Sequence, residues 1–223
     1  MPGAAIVLTG GAARRLCGVD KCHLDVGGRR VVSRIVTAVR EAGASPVLLV
    51  GPDRGEPRAT AVREQPPGGG PVAGLGAGVA ALGALGAPAA TLVWLLAGDL
   101  PFVTTSALEE LRRRVIDGAA AVDGAVAVDG AGRDQPLLSV WRLGALRAAL
   151  PAEPSGARLR DVLTRLTAAR VPLEGDPPPW WDIDTPEQLA QARALAGDTV
   201  AAVHPVDVQA VAAGRERAVG DPE

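Results

Sequence analysis

Four short stretches hold the residues able to do chemistry. The first is VLTGGAARRLCGVDK, Val7 to Lys21, an apolar run that breaks into Gly10-Gly11 and then carries Arg15 and Lys21. Glycines let backbone N–H groups approach phosphate oxygens, and a following helix terminus adds a favourable dipole. Two cations beyond the glycines suit a triphosphate, whose charge one loop cannot neutralise. A plain strand–loop–helix turn with solvated basic residues fits the same spacing. The stretch is not a Walker A loop, because no Gly-Lys-Ser/Thr follows, and it lacks the third glycine of a dinucleotide fingerprint. Lys21 is the only lysine in the chain.

The second stretch is LLAGDLPF, in which Asp99 ends a strongly apolar run. In an open α/β sheet that carboxyl edge is where ligands bind. A carboxylate there can hold Mg²⁺, which keeps waters and phosphate oxygens beside one or two carboxylates. A helix cap is the alternative, but Pro101 and a later cap at Ser106 weigh against it. The third is WWDIDTPEQL, where Asp182 and Asp184 point the same way if the segment is extended. One of them can complete the site at Asp99 while the other serves as a turn residue, or the acids can simply precede a helix. The fourth is GGGPVAG, Gly68 to Gly74, a Gly-Pro turn that can pack its backbone against a nucleobase or serve as a plain loop. Cys17, Cys22 and His23 lie close together but lack a fourth ligand for a metal.

These stretches must be positioned by a scaffold. Ala4–Thr9, Ser45–Gly51 and Ala90–Asp99 read as buried strands, and Thr60–Glu64 as a shorter one. Arg30–Gly43 has apolar residues at Val31, Val32, Ile35, Val36 and Val39, which is helical spacing. Gly70–Leu85 reads as a helix entered through the Gly-Pro turn; the GLGAG within it is helical, not a dinucleotide loop. Thr104–Gly118 carries an expected capping box, Ser106 with Glu109. Gly124–Arg142 reads as two strands about a glycine-rich turn. Gly144–Pro151 and Gly156–Arg170 read as helices, and Ala169–Glu174 as a closing strand. Asp184–Gly197 has the strongest helix start, with Thr185 as N-cap, Pro186 at N1 and Gln188 closing a capping box. Strand alternating with helix indicates a mostly parallel sheet covered on both faces.

The 223 residues suit one α/β domain with a small extension. We divide them into a domain over 1–196 and a C-terminal extension over 197–223, expected to be partly disordered or a short helix. Hydrophobic residues make up 48% and aromatics 2%, so the core must be largely Ala, Val and Leu. A net charge of −2 gives no basic field for nucleic acid. No apolar run is long enough to span a bilayer, and no signal peptide is evident, so a cytoplasmic protein is expected. Asn and Tyr are absent and Lys occurs once, a bias toward Ala, Gly and Arg that makes a retained lysine informative.

Together the motifs resemble the MobA-like nucleotidyltransferases, the molybdenum cofactor guanylyltransferases, over Ala4 to Ala196. The family pattern L-x-G-G-x-x-x-R-(M/L)-G-x-D-K is similar to Leu8 through Lys21, with Cys17 in place of a common glycine. Gly70-Pro71-Val72-Ala73-Gly74, Asp99-Leu100-Pro101, Gln135-Pro136-Leu137 and Asp182-Ile183-Asp184-Thr185-Pro186-Glu187 follow in family order. The resemblance implies a three-layer α/β/α Rossmann-like sandwich of the nucleotide-diphospho-sugar transferase fold. It implies nucleotide contacts by Leu8, Thr9, Gly10, Gly11, Gly51, Glu64, Gly70 and Gly74. Arg15 and Lys21 would bind phosphates, and Asp99 with Asp184 would hold Mg²⁺. Arg15, Lys21 and Asp99 form the implied catalytic set. The implied reaction moves GMP from GTP to the phosphate of molybdopterin, in a monomer or small homo-oligomer. Cytidylyl or sugar-phosphate transfer, and a non-catalytic nucleotide-binding role, are the alternatives. Gly51 lies near a common family Asn, and Asp184 stands where guanylyltransferases often have Asn and cytidylyltransferase relatives Asp.

Overall fold

A computed structural model of the chain describes residues 3–10, 21–118 and 122–197. Gly11, Arg15 and Cys17, and the tail 198–223 that makes up nearly all of the expected extension, lie outside the described residues.

β1 (Gly3–Leu8) is an interior strand of a seven-stranded sheet. It pairs in parallel with β4 (Ala44–Val50) on one side and β6 (Leu92–Ala97) on the other. β5 (Thr60–Val62) extends the sheet beyond β4. Beyond β6 come β8 (Asp134–Arg142), β7 (Gly124–Val128) and β9 (Ala168–Pro172). Only β8 runs antiparallel, so the expectation of a mostly parallel sheet holds.

Alternation along β1 divides the core in two. Ala5 and Val7 face the cluster built by α1 (Val31–Glu41) and α3 (Thr105–Asp117). Ala4, Ile6 and Leu8 face α2 (Pro71–Ala84) and α4 (Leu143–Ala149). This period of two on a strand buried on both faces makes the three-layer sandwich. α2 is apolar nearly all round because it lies tight on the sheet. A Cβ at Gly78 would fall 2.8 Å from Ile6 Cδ1.

Two local expectations are corrected. Thr104, not Ser106, caps α3, its side chain accepting from Ala107 N, because the extended backbone at Thr104 starts the helix two residues early. The helix expected over Gly156–Arg170 is only α5 (Leu159–Leu163), since Ala168–Pro172 is drawn into parallel pairing with β7. A small hairpin also precedes α1, with β2 (Asp25–Val26) against β3 (Arg29–Arg30). Gly27 and Gly28, at φ 64° and 68°, make its two-residue turn, the Gly-Gly signal for a hairpin. α6 (Pro186–Leu195) has the anticipated capping box of Thr185 and Gln188.

Candidate active site

β1 lies between a strand reached through α1 and one reached through α2, so the crevice beyond its carboxyl end is the switch point of the sheet. The chemistry-bearing residues gather there. Lys21 begins a 3-10 turn, Lys21–His23, anchored because Cys22 beneath it is buried and its Sγ donates to Thr9 O at 3.8 Å. Burial and the charge of Asp99 push the Cys22 thiol up to about 12, so it is an inert packing group.

Lys21 Nζ lies 3.3 Å from Asp99 Oδ2 and also donates to Asp184 Oδ1. Asp99 is carried on the turn after β6. Asp184 immediately precedes the α6 cap, and its N–H is fixed by Gln188 Oε1 at 2.7 Å. A backbone bond from Ile183 N to Asp99 O, 3.2 Å, ties the two acidic segments together.

Burial raises the Asp99 pKa, Lys21 pulls it back, and Asp182 and Asp184 push it up again. Asp182 is also raised, by burial and then by Asp184. Burial alone would lower Lys21, but its hydrogen bond to Asp184 and the charges of Asp99 and Asp184 prevail and hold it above the ordinary lysine value. Three carboxylates thus share one ammonium, leaving a negative centre that a divalent cation would balance. Among the described residues no three such side chains converge into a ready-made metal cage.

On the β4–β5 side of β1, Thr9 N and Gly10 N both donate to Val50 O, at 2.9 and 3.2 Å. Leu8 O accepts from Gly98 N. These bonds fix where the loop leaves the sheet, with Gly10 exposed. Gly51, at φ 144°, packs so closely that a Cβ there would lie 2.7 Å from Gly10 N. No asparagine side chain fits at 51. Glu64 reaches the same place: a Cβ on Gly10 would be 3.7 Å from its Oε1, which accepts from Gly68 N at 3.0 Å. Its Oε2 is buried without a hydrogen-bond partner among the described residues. Gly70 caps α2 at the crevice with open space about it. Gly74 is buried against Leu8 and Val50, where it permits close helix–sheet packing.

The geometry therefore brings together Leu8, Thr9, Gly10, Lys21, Gly51, Glu64, Gly70, Asp99 and Asp184. Residues 5–171 match the MobA-like NTP transferase domain. The chain belongs to that family. It is 34% identical over 208 residues to the molybdenum cofactor guanylyltransferase of Rhodopseudomonas palustris strain HaA2, across 86% of this chain and 91% of that one. It is 35% identical over 151 residues to the probable molybdenum cofactor guanylyltransferase of Opitutus terrae, across 66% and 69%. Its fold is also that of molybdopterin-guanine dinucleotide biosynthesis protein A from Archaeoglobus fulgidus, at TM-score 0.65 and 21% identity over 87% of this chain and 98% of that one.

This MobA-like protein is a nucleotidyltransferase. Its site holds groups that sequence reasoning passed over. Arg54 Nη2 donates to Thr9 O at 2.7 Å, so a partly buried guanidinium braces the first residues after β1. Nothing in the spacing of Arg54 marks it, because it is one arginine among many in a loop. Phe102 stacks on Trp181, joining the Asp99 turn to the Asp182 segment. Nothing in the sequence marks their meeting, because the two rings stand on segments far apart in the chain. Among the described residues no helix is long and apolar enough to cross a membrane.

Proposed function

We propose that this enzyme transfers GMP from GTP to the phosphate of molybdopterin in the cytoplasm, with Mg²⁺ and release of pyrophosphate. The observation that carries the reading is Lys21 set between Asp99 and Asp184 at the switch point of the sheet. The names of the relatives support the choice of guanylyl donor and acceptor.

A phosphate oxygen of the acceptor attacks the α-phosphorus of GTP in line. An O–P bond forms there, the bond to the bridging oxygen breaks, and its electron pair leaves with pyrophosphate. A phosphate monoester is largely ionised at neutral pH, with a second pKa of about 6, so no general base is required. Two polyanions must instead be brought together. Lys21, held charged by its two carboxylate partners, offsets their repulsion and the charge growing on the leaving group. Arg15, from the same sequence stretch, is assigned the same task. Asp99 and Asp184 would hold the Mg²⁺, which supplies further positive charge to the phosphates when bound. Gly10, Gly11 and Gly51 let backbone approach the nucleotide. Glu64 offers its unpartnered Oε2 to an N–H of the guanine edge, since a buried acceptor left unpaired is costly.

The test is pyrophosphate release with GTP, CTP, UTP and ATP, with molybdopterin or a sugar phosphate as acceptor, with and without Mg²⁺. Release that needs GTP, molybdopterin and Mg²⁺ together is expected. Preference for CTP or for a sugar phosphate would overturn the assignment, as would nucleotide binding without turnover.

A further inference from the structure

Aromatic residues are scarce here: one phenylalanine, four tryptophans and no tyrosine. Two of them, Trp94 and Trp141, are fully buried on opposite faces of the sheet. The other three, Phe102, Trp180 and Trp181, all stand in the two segments that carry the acidic residues of the site. Phe102 follows Asp99 by three positions, and Trp181 precedes Asp184 by three. The bond from Ile183 N to Asp99 O holds those segments in register.

The three rings are not equivalent. Trp180 packs on the core, and its indole N–H donates to Leu173 O at 3.2 Å. Phe102 also rests against the core. Trp181 belongs to no apolar cluster, and its Nε1 has no hydrogen-bond acceptor among the described residues. What holds it is Phe102: the ring centroids are 5.5 Å apart and the planes 17° from parallel. A large, partly buried indole is thus fixed, one face on a supporting ring, three positions from Asp184. An aromatic ring held in place by stacking can offer a rigid face to a planar ligand.

Position separates this surface from the nucleotide side. Glu64, Gly51 and Arg54 lie on the β4–β5 side of β1, whereas the stack rises from the end of β6 on the other side. Lys21 links the two: its neighbour Cys22 reaches Thr9 O, and its own Nζ reaches Asp99 and Asp184, on the segments of the stack. We propose that the Phe102–Trp181 stack is the acceptor platform, taking the face of a planar heteroaromatic ring system whose phosphate then reaches Lys21. Trp181 provides the binding face, and Phe102 is a positioning residue that holds it. This rests on the functional reading above and adds the basis on which an acceptor with a flat ring is chosen over a sugar phosphate.

The experiment uses the full chain and the variants Trp181→Ala, Trp181→Phe and Phe102→Leu. Steady-state transfer to molybdopterin is measured with GTP and Mg²⁺, and quenching of the emission of free 6-hydroxymethylpterin is titrated separately. Loss of one ring stack should raise the KM for molybdopterin about tenfold or more in Trp181→Ala, leaving the KM for GTP unchanged. Trp181→Phe should restore most of it, and Phe102→Leu should fall between. Pterin quenching should appear in wild type and Trp181→Phe and vanish in Trp181→Ala. An unchanged acceptor KM in Trp181→Ala, or parallel loss of both substrates, would overturn the platform while leaving the proposed reaction intact. If wild type does not use molybdopterin at all, the reaction assignment fails. The pterin titration still decides the platform: quenching confined to wild type and Trp181→Phe supports it, and no quenching in wild type rejects it.

Discussion

Lys21 and Asp99, separated by 78 positions, face each other with Nζ 3.3 Å from Oδ2 across the carboxyl edge of the sheet. Each is about one-fifth exposed, so neither charge is fully hydrated. The contact joins the segment after β1 to the acidic turn after β6, and Asp184 brings in the start of α6.

Replacing Lys21 with Ala should remove about 2.7–4 kcal/mol of transition-state stabilisation, the scale measured for loss of one fixed donor. Lys21→Arg should also be impaired. A guanidinium is planar and forked where an ammonium is a compact point charge, and the Asp99–Asp184 gap is built around the latter. Single-turnover rates with saturating GTP measure both effects. Near-normal chemistry in Lys21→Ala would remove it from the mechanism.

Asp99→Asn should abolish Mg²⁺-dependent turnover and yet stabilise the metal-free protein. Burial raises the Asp99 pKa, so the folded state holds its proton more tightly than the unfolded chain. The ionised carboxylate therefore costs stability above the raised pKa. That cost disappears as pH falls below the ordinary aspartate value of about 3.9. Urea midpoints for wild type and Asp99→Asn should differ most near neutrality and converge on acidification. A variant no more stable than wild type at neutral pH would contradict the desolvation argument.

Gly51→Asn tests whether the asparagine absent from this chain can be put back. Position 51 has φ 144°, and its Cβ would meet Gly10 N and Thr9 Oγ1 at 2.7 Å. The backbone strain alone should cost about 1–3 kcal/mol of stability. Displacement of Gly10 should also weaken GTP binding, read as a smaller thermal shift with nucleotide. A gain in affinity would show that the loop can open to admit the side chain.

Most of the sheet was legible because β1, β4 and β6 are buried on both faces and read as continuous apolar runs. The start of α6 was legible because Thr185, Pro186 and Gln188 act within one turn. Where tertiary pairing competes with local propensity, legibility was partial: the closing strand read at Ala169–Glu174 is Ala168–Pro172 beside β7, but the helix read before it over Gly156–Arg170 shrinks to Leu159–Leu163. The positions of Lys21, Asp99 and Asp184 in the site followed from motif order, since each closes or opens an element at the same sheet edge. The partners of Glu64, the closeness of Gly51 to Gly10 and the Phe102–Trp181 stack could not be read. Each depends on two loops meeting in space, and no periodicity records which loops meet.

The hairpin turn between β7 and β8 supplies a pH test. Asp129 has a side chain only 1% exposed, yet it is saturated with donors. Its Oδ1 accepts from Ala131 N and Arg133 N, both at 2.9 Å. Its Oδ2 accepts from Arg133 Nε at 2.9 Å and Gln135 Nε2 at 3.1 Å. The backbone bond from Arg133, with the other donors, holds its pKa below the ordinary carboxylate value. An acid depressed in this way contributes stability that is complete above the unfolded value of about 3.9 and is lost as pH falls through the folded value. Asp129→Asn should keep the turn, because an amide oxygen can still accept both backbone bonds. Its Nδ2 would then face two donors, so Gln135 must turn its amide over to offer oxygen. The variant should be less stable than wild type at neutral pH, and its acid limb should be flatter. Asp129→Ala should be weaker still, having lost the turn bonds as well. Urea midpoints followed from neutral pH down to about pH 3 decide the matter. An acid limb as steep in Asp129→Asn as in wild type would assign the acid sensitivity of the fold to other carboxylates.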